Sequence, residues 1–358
     1  MAVRRYELDF LRMIAILCVI AVHFVSSFFT YAHIDKAQLG GAFSYAFIYS
    51  IGELGVPLFV MLSGFLMLDR NYDATYVKKF FRFNFVPLVV AYEIWIFAYY
   101  FLVNFDIVSS SHVQFRSVAA AAFFMGDTQN FLWYLVMIIG LYLGLPIVAR
   151  ILPALHTQLR FYGTVLLVVL VFFATVVPSA SYMGAYFGSN LSIFSVINLN
   201  IFSTHVWGGS VWMLYFVVGY ALKKGVVHKI SSLWLLAIFA LSLAGDIATK
   251  TFDLLHQGSV HVRYDFIFVV CASIALFELI TRVSFVNRLQ REKNFLTSIS
   301  VASFGIYVTH LVAREGIIKI MEHIPVDVVS TNGVFLSVLY VFLVGLCLLL
   351  SWLFVKVL

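Results

Sequence analysis

The sequence predicts an all-α, polytopic membrane protein: a bundle of about ten transmembrane helices with both termini cytoplasmic. Three observations carry that prediction. Hydrophobic residues fill 63% of the 358 positions and charged residues only 11%, against roughly a quarter charged in soluble domains. That leaves too little polar surface to clothe a water-soluble globule. Ten apolar stretches approach the roughly 20 residues needed to cross a hydrocarbon core, and the connecting segments alternate between rich and poor in Lys and Arg.

The ten stretches are 8–32, 44–68, 82–104, 131–149, 160–178, 206–223, 231–249, 264–283, 296–318 and 334–356. The first follows Arg4 and Arg5. It is too long for the core of a signal peptide and no small-x-small site ends it, so it is expected to remain as the first membrane helix. The segment 112–126 is apolar but short, an interfacial or re-entrant piece. Pro178 to Ser203, rich in Ser, Asn, Gly and Tyr and free of charge, is expected to be a structured external loop. No Pro/Gly/Ser-rich linker or internal repeat divides the chain, so residues 1–358 are expected to form one domain.

Orientation follows from the cations. With the N-terminus inside, 16 of the 23 Lys and Arg fall in cytoplasmic segments, including Lys78, Lys79, Arg82, Arg150, Lys223 and Lys224. Arg12 lies at a helix entry, and only Lys36, Arg116, Lys250, Arg263, Arg314 and Lys319 fall outside. This positive-inside pattern accounts for the net charge of +6 without a nucleic-acid partner. Cys18, Cys271 and Cys347 lie in apolar runs without metal-ligand spacing and are expected to be inert buried thiols.

Ionisable groups inside membrane spans are costly, so each is a candidate for function. Arg12 and His23 share the first helix. Eleven residues at 100° bring them to one face, about 16 Å apart along the axis. A cation near the cytoplasmic mouth and a titratable base beyond the midplane thus line one path. The plainer alternative is a snorkelling Arg and a His hydrogen-bonded within the bundle. Glu53, counted inward along the second helix, reaches the level of His23, where a carboxylate would orient an imidazole and raise its basicity. Glu93 and His310 come to comparable depths. Asp246 and Asp265 lie nearer the outer ends of their helices and Glu278 nearer an inner end, as expected of interface residues. The cytoplasmic clusters Lys78, Lys79, Arg82 and Arg288, Arg291, Lys293 serve topology, and also suit the phosphates of a nucleotide. The small residues of Gly52–Pro57 and Ser63–Gly64 allow close helix approach.

These residues sit in motifs. Leu8-Asp9-Phe10-Leu11-Arg12-Met13-Ile14-Ala15 with its Arg-to-His spacing resembles the first-helix signature of the bacterial acyltransferase-3 family of membrane O-acyltransferases. Gly55 to Leu66 is similar to that family's second-helix motif. Leu132-Trp133-Tyr134-Leu135 with Gly140 to Leu143 and Pro146 is similar to its fourth-helix segment, and Gly305-Ile306-Tyr307-Val308-Thr309-His310 to a late-helix motif. Two departures stand out: Phe131 occupies a position where the family often has His, and the basic run Lys78-Lys79-Phe80-Phe81-Arg82 is irregular.

The resemblance implies acetyl-CoA as donor, held from the cytoplasm, and a hydroxyl of a cell-envelope glycan or lipid-linked sugar as acceptor, in a bacterial inner or plasma membrane. It implies that His23 acts in transfer and Arg12 in donor binding. Glu53 then supports His23, and Lys78, Lys79 and Arg82 meet the donor phosphates. Glu93, Trp133, Tyr307 and His310 are assigned to the acceptor, and no metal is called for. Membrane lipid is the surrounding partner, and a homo-oligomer is left open. A transporter or flippase of a lipid-linked sugar or polar solute would also want ionisable groups at mid-depth, although no inverted repeat is visible. Another acyl-CoA as donor is the remaining alternative.

Overall fold

The computed structural model describes residues 5–105, 114–122, 132–157, 160–186, 209–256, 263–283, 293–324 and 333–357, and among these the regular structure is helical throughout. In chain order the helices are α1 (Tyr6–Tyr31), α2 (Leu39–Glu53), α3 (Gly55–Met67), α4 (Ala74–Phe80), α5 (Val86–Asn104), α6 (Phe115–Ala122), α7 (Trp133–Thr157), α8 (Arg160–Val171) and α9 (Val177–Tyr186). There follow α10 (Gly209–Lys223), α11 (Ser232–Leu255), α12 (Ile267–Thr281), α13 (Lys293–Glu322) and α14 (Gly333–Val357). Each of the ten apolar stretches coincides with helix. Among the described residues eight helices are long and apolar enough to cross a membrane; Val211–Lys223 and Ile267–Thr281 are shorter apolar helices. The short apolar segment near residue 120 contains α6. Part of the expected external loop is instead helix: α9 continues α8 through a π turn ahead of Pro178 and runs on to Tyr186. The remainder of that loop, Phe131, Arg288 and Arg291 lie outside the described residues.

Two helices widen into π turns, Phe81–Phe85 between α4 and α5 and Phe172–Val176 between α8 and α9. Both precede a proline, Pro87 or Pro178. Proline cannot donate to the carbonyl four residues back, and a π turn accommodates the freed carbonyl without ending the helix. The same chemistry separates α2 from α3. Pro57 withholds a hydrogen bond from the carbonyl of Glu53, and the helix breaks at Leu54. Glu53 is thereby placed at a helix end inside the apolar segment.

The chain divides into two compact units, with boundaries inside α3 and α12. The first comprises Met1–Phe59, Ile230–Val262 and Cys271–Leu358. In it α1 packs on α2, α13 and α14, and α2 also packs on α11. Gly52 backs directly onto Val22 of α1, so Glu53 lies within about a turn of His23 in level.

The second unit comprises Val60–Lys229 and Arg263–Val270. Here α3 and α10 cross in backbone contact: a Cβ on Gly64 would collide with the Phe216 carbonyl, and one on Gly219 with the Met61 carbonyl. The turn after α3 is tied to the end of α10 by Asp69, whose two oxygens meet Lys224 Nζ at 2.5 Å and Lys223 Nζ at 3.2 Å. Partial burial pushes the Asp69 carboxyl up, but the bonds from Lys224 and Lys223 outweigh it and hold it below its ordinary value.

Two outcomes follow for detergent-purified protein. Gly64→Val or Gly219→Val forces backbone apart and is expected to cost at least the 1–3 kcal/mol of an overpacked core, about, read as a lower thermal midpoint. Asp69→Asn is expected to cost about 0–1 kcal/mol at pH 7. Because the folded carboxyl is depressed, the contribution is present above the ordinary carboxylate value of about 4 and is lost as pH falls through the folded one. The gap in midpoint between wild type and Asp69→Asn should therefore close in acid.

Candidate active site

The first unit brings α1 and α13 together as parallel helices with polar contacts at two levels. At the lower level Arg12 Nη1 donates to Asp9 Oδ1 at 3.2 Å and to Ser300 Oγ at 3.0 Å, while Ser300 Oγ donates to Asp9 Oδ1 at 2.6 Å. At the upper level the His23 and His310 rings lie 5.2 Å apart between centroids, tilted by 49°. Arg314 Nη1 donates to the His23 carbonyl at 3.1 Å, and Arg314 Nη2 bonds Glu315 at 3.1 Å. The two levels are about 16 Å apart along α1 and about 15 Å along α13. Both Arg12 and His23 therefore face α13, the common face that the spacing predicts.

His310 is 1% exposed, and its Nδ1 lies 2.5 Å from the Tyr307 carbonyl oxygen. The Tyr307 ring stands 5.8 Å from the His310 ring. From α14, Tyr340 Oη donates to the Ala21 carbonyl at 2.6 Å and Cys347 Sγ approaches the His310 carbonyl at 3.4 Å. Three helices, α1, α13 and α14, thus converge around His23 and His310, with side chains of α13 and α14 bonded to the backbone beside both residues.

Glu53 has a different principal partner from the one the sequence suggests. Its Oε2 accepts from Lys250 Nζ of α11 at 2.5 Å, and the same ammonium donates to Asp246 Oδ2 at 2.5 Å. Tyr49 presents its ring 5.4 Å from that ammonium. Exposures of 3%, 2% and 8% for Glu53, Asp246 and Lys250 make this a buried ion triad joining α2 to α11. Sequence reasoning missed Lys250 and Arg314 by counting them among external loop charges, and Asp246 by reading it as an interface residue. A signal existed in each case: Asp246 and Lys250 are one helical turn apart, as are His310 and Arg314, and such pairs share a face.

The remaining residues singled out lie in the second unit. Lys78, Lys79 and Arg82 are exposed on α4 and the π turn after it. Lys78 lines a cavity of about 570 Å³ with Val77, Pro146, Ile147, Arg150 and Ile151. The guanidinium of Arg150 spends Nε and Nη2 on the Tyr72 carbonyl, at 3.0 and 2.7 Å. Glu93 is half-buried on α5. Trp133 opens α7 and meets Trp212 at 5.5 Å and Tyr264 at 5.7 Å between ring centroids. Among the described residues no group of three or more His, Cys, Asp or Glu is placed to hold a metal ion.

Neighbouring imidazoles in an apolar bundle, one of them held by a backbone carbonyl, are equipped for proton transfer or nucleophilic catalysis. The family comparison names the chemistry: the profile described as acyltransferase domain, acyltransferase-3, matches residues 5–356. The chain belongs to the acyltransferase-3 family. Comparison with curated proteins and with solved structures returned no match. Membership covers nearly the whole chain and, with the apolar helices, makes this acyltransferase-3 protein a multi-pass membrane acyltransferase.

The ion triad gives a test of its own. Lys250→Met takes the shared ammonium from two buried carboxylates and is expected to destabilise by about 3–5 kcal/mol. Adding Glu53→Gln and Asp246→Asn to Lys250→Met should recover most of that loss in thermal midpoint. A Lys250→Met protein as stable as wild type would contradict the pairing.

Proposed function

We propose that this acyltransferase moves an acetyl group from cytoplasmic acetyl-CoA to a hydroxyl of a cell-envelope glycan or lipid-linked sugar, in a bacterial inner membrane, with both termini cytoplasmic. The observation that carries the reading is the aligned pair Arg12 and His23 on the face of α1 that meets α13. CoA is too polar to cross the hydrocarbon core, whereas its pantetheine arm is slim enough to follow a helix–helix seam. Arg12 at the lower level suits the donor's entry, and His23 at the upper level suits transfer. His23 serves as transient acyl carrier or, together with the neighbouring His310, in general-base catalysis toward the acceptor hydroxyl. Lys78, Lys79 and Arg82, with the cavity beside Lys78, supply cations and apolar walls of the kind a donor's phosphates and adenine require. Trp133 and its ring neighbours offer the flat apolar faces on which sugar rings pack, and Glu93, Tyr307 and His310 remain assigned to the acceptor. Glu53 acts through the ion triad by holding α2 in place against α11, a positioning role.

The deciding measurement is acetyl-CoA binding and free-CoA release by purified wild type, His23→Ala and Arg12→Ala. His23→Ala is expected to lose CoA release by at least a hundredfold, the lower range for a catalytic base, about 10²–10⁴, while retaining donor binding. Arg12→Ala is expected to weaken donor binding about tenfold, the effect of losing one charge-assisted contact of roughly 1.4 kcal/mol. Propionyl-CoA and succinyl-CoA in parallel separate acetyl preference from general acyl transfer. If none of the three is bound or consumed by wild type, the donor assignment fails.

A further inference from the structure

Two hydrogen-bonding atoms near His23 are buried without a partner among the described residues: Nε2 of His310 and Nε of Arg314. They are opposite in kind. Nδ1 of His310 faces the Tyr307 carbonyl oxygen at 2.5 Å. A carbonyl only accepts, so Nδ1 carries the ring proton and Nε2 of the neutral imidazole offers a lone pair. Nε of Arg314 always carries N–H. The two terminal nitrogens of that guanidinium each have a partner, Nη1 the His23 carbonyl and Nη2 Glu315, so Nε is its one nitrogen without one. Lying four residues apart on α13, the two side chains share a face one turn apart. Buried polar atoms are seldom left unmatched in folded proteins, and such exceptions call for a cause. An acceptor and a donor left open together, beside His23, match a ligand that brings one O–H and one carbonyl oxygen. The two reacting groups of an acyl transfer bring both.

We propose that Arg314 is a catalytic residue that holds the oxyanion of the acyl transfer through Nε–H, with Nε2 of His310 taking the proton of the acceptor hydroxyl; this rests on the acyl-transfer reading given above. In the step, the hydroxyl proton passes to His310 Nε2 as the hydroxyl oxygen bonds to the thioester carbonyl carbon. The carbonyl oxygen becomes anionic and accepts from Arg314 Nε–H. Collapse re-forms the carbonyl and breaks the carbon–sulfur bond, and the departing thiolate takes the proton back from His310. Products are an ester and free CoA. If the acyl group is first carried on His23, the bond broken is to the His23 nitrogen, which takes up that proton instead. Committing Nη1 to the His23 carbonyl holds the guanidinium against the reacting centre before substrate arrives, which is what electrostatic catalysis requires.

The test is steady-state CoA release from acetyl-CoA by full-length protein in detergent or native membranes, normalised to folded enzyme. Arg314→Met is expected to lower kcat about 10²- to 10³-fold, the effect of removing one oxyanion donor, with donor KM within about threefold of wild type. A guanidinium salt should restore part of the activity of Arg314→Ala, which a merely structural role would not allow. If Arg314→Met does not accumulate, Arg314→Lys keeps the charge but loses the Nε–H position and should show the same fall in kcat. His310→Gln is expected to match Arg314→Met in kcat. Wild-type kcat in either Arg314 variant, or a loss confined to yield and thermal midpoint, overturns the assignment while leaving acyl transfer intact. Absence of CoA release from acetyl-, propionyl- and succinyl-CoA by wild type overturns the acyl-transfer reading, and this assignment falls with it.

Discussion

A polar group carried into hydrocarbon must find its partner in the protein, because water is not there to supply one. That constraint organises the first unit. Its conspicuous ionisable residues inside the apolar helices, Asp9, Arg12, Glu53, Asp246, Lys250 and Arg314, are engaged with one another or with backbone and hydroxyl oxygens. Each such contact also joins two helices or stiffens one. Arg12 and Asp9 on α1 reach Ser300 on α13, Glu53 on α2 reaches Lys250 on α11, and Arg314 on α13 reaches back to α1. Apolar packing alone would allow these helices to slide, since lipid tails solvate Leu as well as another helix does. The polar contacts set register.

Proline then decides where those contacts fall. The break at Leu54 ends α2 at Glu53, and the nearby glycine contact with Val22 brings that end close to α1. Without the carbonyl that Pro57 leaves free, α2 and α3 would run on as one helix past the level of His23. On the second unit, the π turn ahead of Pro87 contains Arg82, so the basic run leading into α5 does not follow a regular helical stripe. The irregularity visible in the sequence of that motif has this backbone counterpart.

The periodic part of this arrangement was legible in the sequence. Apolar length located the helices, and an angle of 100° per residue placed Arg12 and His23 on one face, which α13 occupies. What periodicity does not contain is the identity of a neighbour nearly two hundred residues away, and so Glu53 was matched to the imidazole at its own level rather than to Lys250. Lys250 was lost for a related reason: the apolar window 231–249 ends one residue short of it, and a lysine at a window's edge reads as loop. In fact α11 continues to Leu255, with Asp246 one turn earlier to neutralise it. The assignment of residues from Pro178 onward to a loop failed because proline need not end a helix: the π turn ahead of Pro178 takes up the freed carbonyl and the helix runs on to Tyr186.

Two of the first unit's polar clusters therefore differ in completeness. In the triad the Lys250 ammonium meets both carboxylates at 2.5 Å and a ring face. It is a closed arrangement apart from Asp246 Oδ1, and two carboxylates on one ammonium leave no cation over for a substrate anion. Closed clusters hold helices together. Around His23 the opposite holds: backbone carbonyls fix His310 and Arg314 in place, yet one lone pair and one N–H remain open. Rigid groups with unspent hydrogen-bonding capacity raise the energy of the empty site and are matched only when substrate supplies the missing atoms. That difference, more than burial or charge, separates the cluster that builds this membrane acyltransferase from the cluster equipped to work in it.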